Sequence, residues 1–296
     1  MCQHYAQQDP MFTHYAFNTL AINPAYAGTR DALTITGLNR MQWVSFSGAP
    51  ITQTITAHTP IINKNIGLGL SLLNDKIGPT NTLSFYVDFS FKIKINEKAK
   101  LSFGLKSGLN YKKANLSDLL VTDPSDPMFL ADQKSKLLPN FGFGLYYYTD
   151  KYYVGISIPK LLENNFTENT VNGDANLASD KKHYFLIGGA VFNLSEDIKL
   201  KPTSFVKVTS GAPIQMDLTA NFILKDKFSF GLMYRTGDAF GVLVGMNITD
   251  QLSVGYSFDW SMTNKTFKYN QGSHEIMIRY DLMFKESKII RSPRYF

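Results

Sequence analysis

The sequence has little charge, a single cysteine and no long apolar run, and each shortage excludes a class of protein. Charged residues make up 18% of the 296 residues, against about a quarter in an average soluble domain. The lone Cys2 excludes an intramolecular disulfide framework and a CxxC metal site. No window reaches the roughly 18 consecutive apolar residues of a membrane-spanning helix. An aromatic content of 14% is too high for a disordered chain.

The net charge and the first residues of the chain exclude few further classes of protein. The 30 Lys and Arg residues exceed the 24 Asp and Glu residues, but they are spread along the chain, so a nucleic-acid partner is not expected. The first six residues contain no apolar stretch, so no intact secretory signal is visible. Tyr5-Ala6-Gln7 is compatible with the remnant of a cleavage site, and Cys2 is interpreted as a chance cysteine rather than a lipid-attachment site.

Apolar and polar side chains alternate with a period of two through nearly the whole chain after residue 30. From Thr82 to Ile95, every odd-numbered residue is Leu, Val, Ile or Phe, and every even-numbered one is Thr, Ser, Tyr, Asp or Lys. Successive strand side chains leave on opposite faces, whereas a helix would scatter these residues around its circumference. The pattern predicts fourteen strands, near residues 31–40, 51–61, 64–74, 80–96, 98–111, 138–149, 151–158, 182–194, 197–210, 214–225, 227–236, 239–249, 251–262 and 273–284.

The connections between these strands alternate between short and long. Short polar ones, such as 96–98, 149–151, 195–197, 225–227 and 249–251, lie between longer ones that include 112–137 and 159–181. This is the arrangement of an up-and-down outer-membrane barrel, with short periplasmic turns and longer extracellular loops. An even number of strands predicts that both termini lie at the short-turn, periplasmic side.

The alternation does not say which face of the sheet meets lipid. A soluble sandwich or lipocalin-like barrel turns its apolar face inward, whereas a membrane barrel has an apolar exterior and a polar lumen. The membrane arrangement is favoured by the large number of strands, by Gly and Ser on the polar face, and by bulky aromatics near strand ends. We therefore predict an all-β, transmembrane, up-and-down antiparallel β-barrel. The expected interfacial aromatic residues are Tyr111, Tyr147, Tyr152, Tyr184, Trp260 and Phe284.

Residues 1–30 form a segment of a different kind. The stretch from Gln7 to Gly28 has no strand periodicity, yet it is apolar enough to need a packing surface. It is either a plug folded against or into the barrel, whose interior is too wide for ordinary side chains to fill, or a docking element for a periplasmic partner. The predicted organisation is the segment 1–30, the barrel 31–284, and a basic periplasmic tail 285–296, which we interpret as a solvated charge run.

Several motifs resemble the PorP/SprF family of outer-membrane proteins, which is associated with type IX secretion and gliding motility. The resemblance extends over essentially the full chain. It rests on QDPMFTHYAFN (8–18), LAINPAYAG (20–28), RMQWVSFSGAP (40–50), His58 followed by Pro60, and RSPRYF (291–296). The residues of the N-terminal family motif are Asn23, Pro24, Ala25, Tyr26, Ala27 and Gly28.

The resemblance implies a non-enzymatic barrel in the outer membrane of a Gram-negative bacterium, with outer-membrane lipid and type IX secretion components as its partners. It implies that the barrel binds, anchors or helps to export a secreted surface protein or adhesin through that protein's C-terminal sorting region. The alternative is an outer-membrane channel or transporter for a small solute, hydrophobic solutes included.

No catalytic, cofactor or metal site is predicted. The five histidines are far apart and form neither an HxxxH nor an HExxH pair, and the chain has no GxSxG nucleophile elbow. The acidic residues Asp123, Asp126 and Asp132 match no EF-hand spacing. Two prolines among them indicate turns, so calcium binding is the less favoured interpretation of this loop.

Apolar residues in the predicted outer loops are candidates for contact with a partner protein, because exposed apolar side chains mark such contacts. The competing interpretation is that these loops fold inward and pack over the barrel mouth. The candidates are Trp43, Phe46, Met128, Phe129 and Phe166.

Overall fold

Antiparallel strands make up most of the chain in the computed structural model, which describes residues 9–61, 65–116, 133–164, 180–262 and 271–283. A short helix α1 (Thr19–Ile22) and a 3₁₀ turn (Pro24–Tyr26) precede them. The strands are β1 (Ala32–Met41), β2 (Ile51–Ile61), β3 (Ile66–Ile77), β4 (Thr80–Lys94), β5 (Lys100–Ala114), β6 (Gln133–Tyr148), β7 (Tyr152–Ile158), β8 (His183–Ala190), β9 (Phe192–Asn193), β10 (Ile198–Thr209), β11 (Gln215–Leu224), β12 (Phe228–Arg235), β13 (Ala239–Asn247), β14 (Leu252–Ser261) and β15 (Ser273–Met283).

The sheet closes on itself. Strands pair in chain order, and β15 returns to β1, with Met283 opposite Ala32 and His274 opposite Met41. Both β8 and β9 pair with β10 and are separated only by Val191, so they form one interrupted strand. The structure is therefore a closed fourteen-stranded up-and-down barrel, as predicted. Closure pairs the backbone groups that an open sheet edge would expose to lipid.

The strand bounds agree with the alternation to within about three residues almost everywhere. The largest difference is β6, which begins at Gln133 rather than near residue 138. Its first residues, QKSK, carry no apolar side chain to mark an outward face, and Pro139 follows in a position that usually belongs to a strand end or edge. Pairing with the long strand β5 extends β6 beyond the part that its own sequence indicates.

The barrel has the polarity of a membrane protein. Large apolar side chains point outward and are exposed, as Leu105 (59%) and Ile156 (55%) illustrate. The alternate positions point inward and are buried polar residues, such as Ser90, Ser102 and Asp88. Apolar side chains in contact with the surroundings and polar ones inside are the reverse of a soluble barrel. The predicted inversion is confirmed.

Aromatic side chains mark both ends of the outer wall. Tyr111, Tyr184 and Trp260 are exposed close to the long-loop ends of their strands. Tyr152 is exposed and Tyr147 is half-buried at the opposite end, where their ring centroids lie 6.1 Å apart. Phe284, the sixth expected interfacial aromatic, lies outside the described residues.

The two ends of the barrel differ in the connections they carry. The long connections 42–50, 115–132, 159–182 and 262–272 share one end, although three shorter connections, 78–79, 210–214 and 236–238, lie there as well. The connections 62–65, 95–99, 149–151, 194–197, 225–227 and 248–251 share the other. We call these the long-loop end and the short-turn end. In the described part of the chain, no helix is long and apolar enough to cross a membrane.

Candidate functional site

The barrel lumen is occupied by the chain's own N-terminal residues. Residues 9–31, which we call the lumen segment, lie against the inward faces of strands from most of the barrel wall. Phe12, Leu20 and Ala25 are at most 3% exposed. The ring of Tyr15 stacks on Phe205 of β10, with centroids 3.9 Å apart. A barrel of fourteen strands is too wide for wall side chains alone to fill, and the lumen segment supplies the missing core.

The lumen segment runs from the long-loop end toward the short-turn end. Asp9 contacts Lys160, which follows β7, and Lys207, which lies near the end of β10. At the other extreme, Arg30 contacts Asp281 near the end of β15, next to the start of β1. The number of strands therefore places the start of β1 and the end of β15 together, but it does not place Asp9 with them. Residues 1–8 lie outside the described residues, so the expectation of an N terminus at the short-turn end stays a prediction.

A charged cluster holds Asp9 at the long-loop end. Its carboxylate lies 2.6 Å from Lys160 Nζ and 3.0 Å from His183 Nδ1, and Lys207 donates to its carbonyl oxygen. Burial opposes the charge on Lys160, but the Asp9 carboxylate outweighs that cost and raises the pKa of Lys160 above its usual range. The pair thus fixes the outer end of the lumen segment to the connection after β7.

Glu275 of β15 is the central anchor of the half of the lumen segment that lies nearer the long-loop end. We call this the outer half, and the rest of the segment the inner half. Its carboxylate accepts hydrogen bonds from the backbone N–H groups of Thr13 (2.8 Å) and His14 (2.7 Å) and contacts His14 Nδ1 (2.7 Å). Arg40 of β1 lies between Glu275 (3.3 Å) and Asp259 of β14 (2.7 Å). All five residues are at most 7% exposed. Charge-assisted bonds of this kind are strong where water is excluded.

Arg235 of β12 makes a second anchor nearby. Its guanidinium donates to both oxygens of Asp217 on β11, at 2.9 and 2.8 Å, and to the carbonyl oxygen of Phe12 at 2.8 Å. The fork geometry of arginine suits this double contact. Neighbouring strands and the lumen segment are thereby joined through one buried side chain.

The family motif lies on the inner half of the lumen segment. Asn23 caps the 3₁₀ turn, because its side-chain oxygen accepts a hydrogen bond from Ala25 N at 2.9 Å. Its amide nitrogen donates to the Leu145 carbonyl of β6 at 3.0 Å. The ring of Tyr26 lies edge-on to Tyr146, with centroids 5.4 Å apart. Pro24, Ala25 and Tyr26 form the turn itself.

The end of the motif is held by the barrel wall as well. Ser90 of β4 donates to the Ala27 carbonyl at 2.7 Å, and Gly28 N donates to His58 Nδ1 at 3.1 Å. Lys92 donates to the Gly28 carbonyl. The motif residues therefore contact the inward faces of β2, β4 and β6. The wall binds the backbone of the motif as well as its side chains.

Two inward glycines allow the motif to approach the wall. A Cβ atom at Gly104 of β5 would lie 2.0 Å from Ala25 N, and one at Gly144 of β6 would lie 2.1 Å from the Asn23 side-chain oxygen. Glycines inside strands relieve crowding or permit curvature of the sheet. The structure adds that both glycines leave room for the motif. The available signal was a row of small residues on the polar face of adjacent strands.

The outer-loop candidates are only partly described. The loop 42–50 is attached to the last long connection, because Val44 N donates to Gly272 O at 2.8 Å and Gln271 N donates to Val44 O at 2.9 Å. Phe46 is 43% exposed, whereas Trp43 is half-buried with a positive φ of 48°. The other candidates, Met128, Phe129 and Phe166, lie outside the described residues.

Metal ligands do not converge in the described ranges, where no group of three or more His, Cys, Asp or Glu side chains could hold an ion. Asp123, Asp126 and Asp132 lie outside those ranges, as do Cys2 and the basic tail 285–296. The described residues thus form a barrel with a filled lumen and two ends available for contact.

Comparison with known proteins identifies the family and the fold. Residues 4–280 match the family described as type IX secretion system membrane protein PorP/SprF. No curated protein matches the chain. Among solved structures, the CymD monoaromatic hydrocarbon channel is similar, with 12% identity, coverage of 90% of this chain and 92% of that one, and a TM-score of 0.50. A Pseudomonas aeruginosa FadL homologue matches with 14% identity, coverage of 92% and 95%, and a TM-score of 0.47.

Proposed function

The chain belongs to the PorP/SprF family of type IX secretion system membrane proteins, and from this premise we propose that it is a non-enzymatic protein that binds a secreted surface protein. In this proposal the barrel lies in the outer membrane of a Gram-negative bacterium and binds, anchors or helps to export its partner through the partner's C-terminal sorting region. The long-loop end faces the cell surface, and the short-turn end, with the tail 285–296, faces the periplasm.

The filled lumen is the observation that carries this proposal. The lumen segment is fixed along its length, from Asp9 through Glu275 and Arg235 to Arg30 and Asp281. The barrel is poorly suited to the passage of solute, because ion pairs bind a segment of its own chain to the inside of its wall. Function is then expected at the two ends of the barrel, where a protein partner can bind.

The surface at the long-loop end supports a protein contact. Phe46 is exposed on a loop whose backbone is bonded to Gly272 and, through Gly48 O, to Gly78 N at 2.9 Å. An apolar side chain on a loop held in place loses little conformational entropy when it is buried by a partner. Phe46 and its neighbour Trp43 are therefore the residues of choice for testing the contact.

Replacing Trp43 and Phe46 together by alanine is expected to lower recovery of a secreted partner from gently solubilised outer membranes about tenfold. Loss of two aromatic contacts at an interface costs about 1–3 kcal/mol. The measurement is quantitative mass spectrometry of proteins that co-purify with the barrel. Leu194→Ala is the matched control, because Leu194 is 56% exposed but lies at the short-turn end. Equal recovery from all three proteins would contradict the role of the loop, and a wild-type barrel that purifies alone would contradict the function.

The alternative function, a channel for small solutes, predicts the opposite electrical behaviour. We expect the wild-type protein to be silent in planar bilayers, because the lumen segment fills the path. Deleting residues 11–22 removes the part that crosses the lumen and should produce steady conductance. Conductance or solute uptake by the wild-type protein in liposomes would support the channel instead, and the outcome for the wild-type protein stands whether or not the deletion variant folds.

A further inference from the structure

The outward faces of the strands carry almost no charge. Among the outward-facing strand side chains that the structure describes, the Asp, Glu, Lys and Arg residues are just two, the exposed Lys76 of β3 and Lys113 of β5. Lys94 and Lys100 are exposed as well, but they occupy inward-facing positions of β4 and β5 at the short-turn opening of the barrel. A cation on the lipid-facing wall is costly in the middle of a bilayer and is tolerated only near its surface.

The two outward lysines lie at the same height on the wall. Lys76 is the register partner of Asn81 on β4, and Asn81 is the register partner of Lys113. Each of the three residues is the second residue from the long-loop end of its strand. Because neighbouring strands lie about 4.8 Å apart, the lysines are two strand spacings apart, with the exposed amide of Asn81 between them. They form one row in the interfacial region, just beyond the exposed ring of Tyr111.

A second polar row lies one step nearer the membrane centre. Asn39 of β1, Gln53 of β2 and Asn74 of β3 are register partners in turn and point outward. Asn74 Nδ2 donates to Gln53 Oε1 at 3.4 Å, a long hydrogen bond at an exposed position. Amide side chains each carry two donor hydrogens and an acceptor oxygen, so this row retains hydrogen-bonding capacity for a group outside the protein.

The opposite side of the barrel is different at the same height. There the second residues from the long-loop ends of β12, β13 and β14 are Tyr234, Phe240 and Trp260, which are register partners and are exposed. An aromatic belt is the usual composition of a membrane protein at the interface. The polar patch on β1 to β5 is therefore a local feature of one side of the wall.

The described part of the protein supplies no negative charge to this patch. Neither Lys76 nor Lys113 makes a side-chain ion pair or hydrogen bond with another described residue. The carboxylate next to Lys76 in the chain, Asp75, is only 7% exposed, points into the lumen and accepts a hydrogen bond from the Thr52 hydroxyl at 2.6 Å. A counter-charge for the two lysines is thus expected from outside the chain.

We propose that Lys76, Asn81 and Lys113 bind the phosphorylated headgroup of a lipid in the membrane leaflet at the long-loop end. Lysines at a membrane surface attract anionic lipids, and their flexible stems can lie along apolar surface while both ammonium groups contact a phosphate placed over Asn81. The amides of Gln53 and Asn74 lie below the phosphate, where they contact the polar part of the lipid that joins the headgroup to the acyl chains.

The lipid site is independent of the secreted partner, but the choice of lipid rests on the proposed function. In the proposed orientation the long-loop end faces the cell surface, where the lipid of the leaflet is lipid A, a glycolipid whose headgroup carries phosphate. Phosphatidylglycerol is the corresponding probe for the opposite orientation. Binding of phosphatidylglycerol but not of lipid A at the patch would support the phosphate site and contradict the orientation.

Native mass spectrometry of the full-length barrel in non-ionic detergent tests the site. The titrants are lipid A, lipid A from which the phosphate has been removed, and phosphatidylglycerol. We expect a saturable one-to-one complex with a phosphorylated lipid and weaker binding of the dephosphorylated form. An excess of inorganic phosphate should displace little of the lipid. Complete displacement by inorganic phosphate would overturn the proposal in favour of a soluble anion, and equal binding of lipid A with and without phosphate would overturn it as well.

Variants show whether the lipid binds at the patch. The double variant Lys76→Gln/Lys113→Gln is expected to weaken binding of the phosphorylated lipid about tenfold. Lys98→Gln/Lys151→Gln is the matched control, because it removes two exposed lysines from short turns at the other end. Both pairs lie outside the lumen, and each single variant carries the comparison if a double variant does not fold. Equal lipid binding by the two double variants would overturn the proposal, even if loss of Lys76 and Lys113 released a co-purifying protein.

Discussion

Replacing Glu275 by alanine is expected to free the outer half of the lumen segment and to lower the stability of the folded barrel by about 3–5 kcal/mol. The substitution removes the acceptor of two backbone N–H groups, Thr13 and His14, and leaves Arg40 with Asp259 as its remaining close carboxylate. Unpaired buried donors and an under-compensated guanidinium are both costly. Hydrogen exchange of residues 11–18 and thermal unfolding in detergent measure the two effects.

Two further variants make this prediction specific. Glu275→Gln keeps the shape and one acceptor oxygen, so it should fall between the wild-type protein and the alanine variant. Glu196→Ala removes an exposed carboxylate from the short turn 194–197 and should change neither measurement. If Glu275→Ala leaves exchange of residues 11–18 slow, the buried carboxylate is not what holds the segment.

The barrel wall was predictable because its information is local. The run from Thr82 to Ile95 alternates without interruption, and β4 occupies Thr80–Lys94 with Phe85 and Phe89 outward and Asp88 and Ser90 inward. A period of two is written in every strand, and strands in an up-and-down barrel pair mainly with sequence neighbours. Strand existence, order and closure therefore follow from the chain read in short windows.

The contacts that hold the lumen segment were not predictable, because the residues that make them are remote in sequence. His14 and Glu275 are separated by 261 residues, and Arg235 meets Phe12 across 223. Alternation places Glu275 and Arg235 on the polar faces of their strands, but nothing in it states which of several carboxylates an arginine will meet. The motif 23–28 is recognisable in the sequence by its resemblance to the family. Its contacts with β2, β4 and β6 are visible only in the structure.

The direction of the lumen segment does not follow from the number of strands. Counting strands fixes the end at which β1 begins, and Ala32 does lie opposite Met283. Residues before β1 are not bound by that count. Asp9 lies with Lys160 at the long-loop end because the segment turns back into the lumen, where its apolar residues find the only large interior that a polar-lined barrel offers. The apolar character of the segment predicted that it needs a packing surface, but it did not predict the direction in which the segment runs along the barrel.

Replacing Gly104 by alanine is expected to displace the 3₁₀ turn Pro24–Tyr26 and to destabilise the protein by about 1–3 kcal/mol. The added Cβ atom would lie 2.0 Å from Ala25 N and 2.4 Å from the Pro24 carbonyl carbon. Neither side can yield by rotating a side chain, because both contacts are with backbone. Gly104 is held between Ser90 of β4 and Gly144 of β6, so the turn, rather than the wall, is expected to move.

Gly37→Ala is the matched control for that displacement. Gly37 lies in β1, so this variant also removes a glycine from a strand. A Cβ atom at Gly37, however, would meet nothing within 4 Å. The two variants thus share the change in backbone entropy, which favours alanine in a strand, and differ in the contact with the motif. Hydrogen exchange of residues 22–28 should rise for Gly104→Ala alone, and the Asn23 bond to Leu145 should be lost with it. If both variants leave that exchange unchanged, the motif does not depend on close approach to β5, and the inward glycines serve the curvature of the wall instead.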